Sequence, residues 1–191
     1  MMPTELLAAL HTAEKLKDTT RHCYTSGGRH ESVAEHSWRI ALMAFFLRDA
    51  FPEADMDKVA RMCLIHDLGE CFTGDIPAFD KTAQDESREE QLLDRWVSSL
   101  PSPCREEMRM LYSEMAALET QEAKIYKALD KLEAVISHNE SDISTWEDHE
   151  YDLQLTYGEQ NVAFSPYLSE LRQAIRQETL DKIAREGDRR K

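Results

Sequence analysis

No run of about 18 apolar residues occurs anywhere in this chain of 191 residues, so no segment reads as a membrane-spanning helix. The first thirty residues carry too many charges for the apolar core of a secretion signal. Cysteine is scarce: Cys23, Cys63, Cys71 and Cys104 show no CxxC spacing and no pattern of a disulfide framework. Reduced thiols and a cytoplasmic location are the expectation. Positive charge is also short, with 23 Lys and Arg against 37 Asp and Glu and a net charge of −14. That field opposes any surface that wraps a DNA or RNA backbone, but leaves room for a small anion captured locally. Strand-like alternation, internal repeats, low-complexity tracts and linkers are missing as well. The length suits one domain with a full core, and the expectation is an all-α unit over 1–191, with its core at about 6–140 and C-terminal helices at 141–187.

What is present is helical periodicity. Leu6, Leu7, Leu10, Ala13 and Leu16 predict a helix from Thr4 to about Lys17, followed by a polar loop from Asp18 to Glu31. Ser32-Val33-Ala34-Glu35 is a capping box that opens a helix running to about Ala50, apolar over much of its circumference. Asp55 or Asp57 caps the next helix, which ends near Gly69 to Gly74. A loop at Phe79 to Gln84 and a helix from Glu86 to Leu100 follow. Ser102-Pro103 reads as a cap with proline at the first helical position, starting a helix to about Leu118. Thr120 opens another, striped by Ile125, Leu129, Leu132 and Ile136. Asp142 to Tyr157 is read as helical, and Ser165-Pro166 starts a last helix ending at Gly187.

Met62 to Pro77, MCLIHDLGECFTGDIP, sets His66 and Asp67 side by side among Leu64, Ile65 and Leu68, with Glu70 and Asp75 following. A carboxylate beside an imidazole in an apolar segment is costly to bury without compensation, and a bound cation supplies it. His36 on the preceding helix and Asp130 on a later one complete a candidate set of two imidazoles and two carboxylates. Such a set leaves open positions and suits one divalent ion, Mn²⁺, Fe²⁺ or Co²⁺ first, with Zn²⁺ or Mg²⁺ also compatible. Each piece has a plainer reading: His36 as an ordinary core histidine, Asp130 paired with Lys127 or Lys131 through solvent. Their joint fall on apolar helices favours the metal.

In this order His36, His66-Asp67 and Asp130 resemble the ligand set of HD-domain phosphohydrolases. Arg21, then ESVAEHS around His36, HDLGE leading into TGDIP, and ALDKLEA around Asp130 are similar to the bacterial 5′-deoxynucleotidase branch and its eukaryotic HD-domain-containing relatives. The likeness spans roughly Leu6 to Ala134. It implies an HD-domain helical bundle and a metal-dependent phosphohydrolase that cleaves the phosphomonoester of (deoxy)nucleoside 5′-monophosphates.

The resemblance further implies catalytic roles for Glu70 and Asp75, a phosphate fork at Arg21, and a carboxylate near the sugar at Glu114. Without it, Glu70 reads as a surface acid near a helix end, Asp75 as an Asx-turn residue and Arg21 as a solvated loop arginine. One departure bears on specificity: His22 stands where these relatives place a tryptophan beside the arginine, which leaves the sugar preference open. Cys71 after Glu70 disfavours guanosine-tetraphosphate hydrolysis, and the absent glycine-tyrosine-proline segment disfavours cyclic-di-GMP cleavage. The alternatives are hydrolysis of nucleoside triphosphates or another small phosphoester, or a non-enzymatic nucleotide-binding scaffold around a structural metal. A homodimer is expected from the resemblance and from the aromatic content of Trp146 to Tyr157.

Overall fold

The computed structural model describes residues 1–77 and 79–187; Ala78 and 188–191, and with them the far end of the expected single domain, lie outside the described residues. The fold is all-α apart from one short hairpin. In chain order the elements are α1 (Pro3–Ala13), β1 (Thr20–Tyr24), β2 (His30–Ser32), α2 (Val33–Phe46), α3 (Met56–Ile65), α4 (Glu70–Thr73) and α5 (Ala83–Ser99). They continue as α6 (Cys104–Ala117), α7 (Gln121–Glu140), α8 (Glu150–Thr156), α9 (Glu159–Val162) and α10 (Pro166–Glu186).

The helix starts follow the side chains that can accept from free backbone N–H groups. Ser32 accepts from Glu35 N at 3.2 Å and Glu35 bonds back to Ser32 N at 2.9 Å, closing the capping box that starts α2. Asp55, rather than Asp57, caps α3 through Lys58 N at 2.9 Å. Thr120 caps α7 and Ser165 caps α10, the latter with Pro166 in its first turn. Thr82 caps α5, so that helix begins at Ala83, ahead of the expected Glu86.

Four expectations are corrected. The polar segment Asp18 to Glu31 is not all loop: β1 pairs antiparallel with β2, Thr20 opposite Ser32 and Tyr24 opposite His30. The turn closes through Gly28, whose φ of +81° suits glycine, and the strands are too short for alternation to register. Helix α6 starts at Cys104 with Pro103 at the cap position and no side-chain cap, so Ser102 does not serve as one. Asp142 to Tyr157 is helical only from Glu150, after a 3₁₀ turn at Ile143–Thr145. Helix α2, apolar over much of its circumference in sequence, buries one side, Ile40 and Ala44, while Trp38, Phe45 and Phe46 stay exposed.

One apolar cluster joins α2, α3, α7 and α10 through Ile40, Val59, Met62, Leu129, Leu132, Leu168 and Ile175. A second, built on Leu16, Val33, Leu68, Val97 and Met108, lies under α5 and α6. Burying such side chains stabilises by about 1.5–3 kcal/mol each. Together the clusters fix α2, α3 and α7 against one another, and these three helices carry the polar centre.

Candidate metal centre

Past Ile65 the α-helical ladder gives way to i→i+3 bonds: Leu68 N to Ile65 O, Glu70 N to Asp67 O, and Cys71 N to Leu68 O. Tightening to 3₁₀ geometry eclipses residues three apart. Asp67 and Glu70 therefore share a side at the point where a regular helix would have begun to splay them. Gly74, with φ of +78°, then turns the chain, and Asp75 lines the same cleft as Glu70.

His36 from α2, His66 and Asp67 from the α3–α4 corner, and Asp130 from α7 converge. Asp67 Oδ2 lies 2.9 Å from His66 Nε2 and 3.8 Å from His36 Nε2. Asp130 Oδ1 lies 3.4 Å from His36 Nε2 and 3.9 Å from His66 Nε2. The paired reading of Asp130 holds at the same time, because its other oxygen takes Lys127 at 3.0 Å and Lys131 at 3.4 Å.

Both Nε2 atoms are buried without a hydrogen-bond partner. Their rings are oriented from behind: His66 Nδ1 lies 2.9 Å from the Cys63 carbonyl, and His36 Nδ1 lies 2.5 Å from Glu133 Oε2. This is the arrangement of imidazoles that ligate through Nε2, with the other nitrogen held by a carbonyl or carboxylate. Donors around an ion bound at about 2.0–2.2 Å stand about 3–4 Å from one another, as these do. The residues fit a divalent cation.

The charges agree with that. Burial pushes Asp67 up, but His66 and His36 outweigh it and hold the carboxylate well below its usual range. Burial works against Asp130 in the same way, and Lys127, Lys131 and His36 overcome it. Burial and Arg21 oppose a proton on His36, yet the Asp130 and Glu133 carboxylates prevail and raise it to about 9. Glu70 behaves oppositely to the ligands: burial first, then Asp67 and Asp75, push it up to about 10. Asp75 is raised too, by burial and by Asp67. The centre thus contains two carboxylates poised as anions and a carboxyl pair poised to hold a proton.

Arg21 on β1 reaches the same place, its Nη1 3.7 Å from Asp67 Oδ2 and its Nε 3.3 Å from Glu31 Oε2. Arg21, Asp67, Glu70, Asp75 and Asp130 all line one cleft of about 430 Å³. Lys127 and Lys131 line it as well, with Phe79, Leu153 and Tyr157 supplying apolar and aromatic surface. Glu114 is not brought there. It pairs with Lys58 at 2.8 Å, accepts from Thr120, and borders a separate surface depression with Arg109 and Ser113.

Sequence reasoning missed Glu133, Glu31 and the two lysines as parts of the centre. Glu133 is fully buried, bonded to His36 and accepting from Ser137 Oγ at 2.7 Å. Its one sequence signal is its register: an acid four residues after Leu129, on the apolar stripe itself.

A family model described as an HD domain matches residues 13–172. The human 5′-deoxynucleotidase HDDC2 is 33% identical over 139 residues, 71% of this chain and 67% of that protein. Its mouse counterpart is 33% identical, with 69% of its length covered. Among solved structures, a predicted metal-dependent phosphohydrolase from Magnetospirillum magnetotacticum MS-1 superposes with a TM-score of 0.78 at 31% identity, covering 94% of this chain and 95% of that one. The matched span contains each of the four converging residues, and the chain belongs to the HD-domain family.

Proposed function

We propose that this chain is a metal-dependent phosphohydrolase that cleaves nucleoside 5′-monophosphates, deoxynucleotides among them, to nucleoside and phosphate. The observation that carries the reading is the convergence of His36, His66, Asp67 and Asp130, whose two carboxylates line one cleft with Arg21, Glu70 and Asp75. The activity named for its relatives supports the substrate class.

His36, His66, Asp67 and Asp130 would hold one divalent ion, with Mn²⁺, Co²⁺ or Fe²⁺ best matched to the mixed nitrogen and oxygen donors and open positions. When bound, the ion withdraws charge from the phosphoryl group and makes water more acidic. The chain's own residues do the rest. Arg21 offers planar, paired N–H donors to the phosphate oxygens, which a lysine would not reproduce. Lys127 and Lys131 add positive charge on the same side, where the net charge of the chain would otherwise repel an anion. Attack of water on phosphorus breaks the bond to the 5′ oxygen, and the departing alkoxide needs a proton. The Glu70–Asp75 pair holds one, and takes up the proton released by the attacking water. Phe79 and Tyr157 give the nucleoside surfaces to pack against.

A panel of ribo- and deoxyribonucleoside 5′-monophosphates with Mn²⁺ or Co²⁺ tests this through orthophosphate release, which should exceed a metal-only control. Glu70→Gln should lower turnover by about 10²–10⁴ while metal content is unchanged. Pyrophosphate or triphosphate as product would replace the monophosphate reading, and no release from metal-loaded protein would remove it.

Further parts of the proposal are one domain, a cytoplasmic location and a homodimer. The described residues contain no helix long and apolar enough to cross a membrane. The aromatic segment is not the support for a dimer: Trp146 is buried within the chain, its Nε1 donating to His138 O and Ser141 Oγ, and Tyr157 lines the cleft. Exposed Trp38, Phe45 and Phe46 on α2 are the better candidates. A monomeric mass by light scattering would end that part.

A further inference from the structure

His138 lies on α7 two turns beyond Asp130, about 12 Å along the helix axis. Its Nε2 is 2.9 Å from Glu150 Oε1 on α8, and His22 Nε2 on β1 is 3.2 Å from the same oxygen. The donor atoms of the three residues all lie within 4.8 Å of one another, and all three line the cleft. His138 Nδ1 is 2.8 Å from the Ala134 carbonyl, which places its proton on Nδ1 and leaves the Nε2 lone pair of a neutral ring facing the carboxylate. Glu150 is held in place by the Glu147 N–H, which donates to its other oxygen at 2.7 Å. A lone pair facing a carboxylate oxygen is repulsive unless a proton or a cation lies between them.

We propose that His22, His138 and Glu150 form a second divalent-cation site, separate from the centre at His36, His66, Asp67 and Asp130. Two imidazole nitrogens and one carboxylate oxygen match a three-residue zinc or cobalt site with an open position, and nitrogen donors disfavour Mg²⁺ and Ca²⁺. All three residues line the cleft, and the His22 and His138 side chains are 27% and 14% exposed, so a cation could reach them. Glu147, with Oε1 4.0 Å from His22 Nε2, stands ready as a fourth donor. The site is independent of the reaction assigned to the chain.

Calorimetric titration of chelator-stripped, full-length protein with Zn²⁺, repeated with Co²⁺, tests it. Two equivalents should bind per chain. His22→Ala and His138→Ala should each weaken one of the two by at least about tenfold and leave the other in place. Asp130→Asn should do the reverse, removing the equivalent that His22→Ala spares. His22 is a partly exposed strand residue, so its variant gives an answer even where Glu150→Gln fails to fold. A single equivalent in the wild-type chain, or a second one whose affinity His22→Ala does not change, would overturn the proposal and leave a protonated imidazole paired with Glu150.

Discussion

His66 and His138 are set in the same way. Each brings Nδ1 to a carbonyl three or four residues back, Cys63 or Ala134, and turns Nε2 toward a carboxylate. Their surroundings differ. The inner pair, His36 and His66, is 0% and 4% exposed and meets two carboxylates, with Glu133 behind His36 and Arg21 beside Asp67. The outer pair, His22 and His138, shares a single carboxylate oxygen at the open side of the cleft. If both clusters bind a cation as proposed, the inner one, with its charges compensated, is expected to retain its ion and the outer one to exchange it. The same local geometry would then give two strengths of binding set by burial.

The largest effect should come from Asp130→Asn. It removes one inner donor and releases Lys127 and Lys131 from their partner. Inner-site metal should fall below detection by elemental analysis, and phosphate release should drop by at least about 10³-fold, the scale of losing an essential electrostatic group. If the outer equivalent of Zn²⁺ vanished too, the two clusters would not be separate.

Glu133→Gln should act more gently. The buried amide can still accept from His36 Nδ1 but no longer balances charge, so inner-site affinity should fall by about 10–100-fold. Excess metal should restore turnover. A loss that saturating metal does not restore would mean that Glu133 does more than orient His36.

The mildest test needs no substitution. His36 rises from its usual 6.5 to about 9, and Glu70 from 4.5 to about 10, in the metal-free fold. Between about pH 6.5 and 9 the native state therefore holds more protons than the unfolded chain, and metal-free stability should decline as pH rises through that window. Metal affinity should move the other way, because binding at His36 displaces a proton. Melting temperatures with and without Mn²⁺ across that range would show whether the two trends diverge.

How much of this was legible in sequence depended on distance along the chain. Helix starts at Ser32, Thr120 and Ser165 were readable because a cap and its N–H partner are three residues apart. The four candidate ligands were proposed through their resemblance to a family pattern, and the structure brings each imidazole within 3.9 Å of both carboxylates. Glu133 was not, since its bond to His36 spans 97 residues and nothing local marks it except an acid on an apolar stripe. The hairpin escaped because strands of five and three residues show too little alternation. Glu114 was carried over by likeness alone, and Lys58, 56 positions earlier in sequence, draws it to another face. The shared side of Asp67 and Glu70 depends on a 3₁₀ corner past Ile65, which helical periodicity in the sequence does not mark.

The most direct measurement is anomalous diffraction from crystals of the wild-type chain grown with Zn²⁺. The account predicts a peak about 2.0–2.2 Å from His36 Nε2, His66 Nε2 and an oxygen of each of Asp67 and Asp130. A strong peak only at His22, His138 and Glu150, or none within reach of His36 and Asp130, would contradict it.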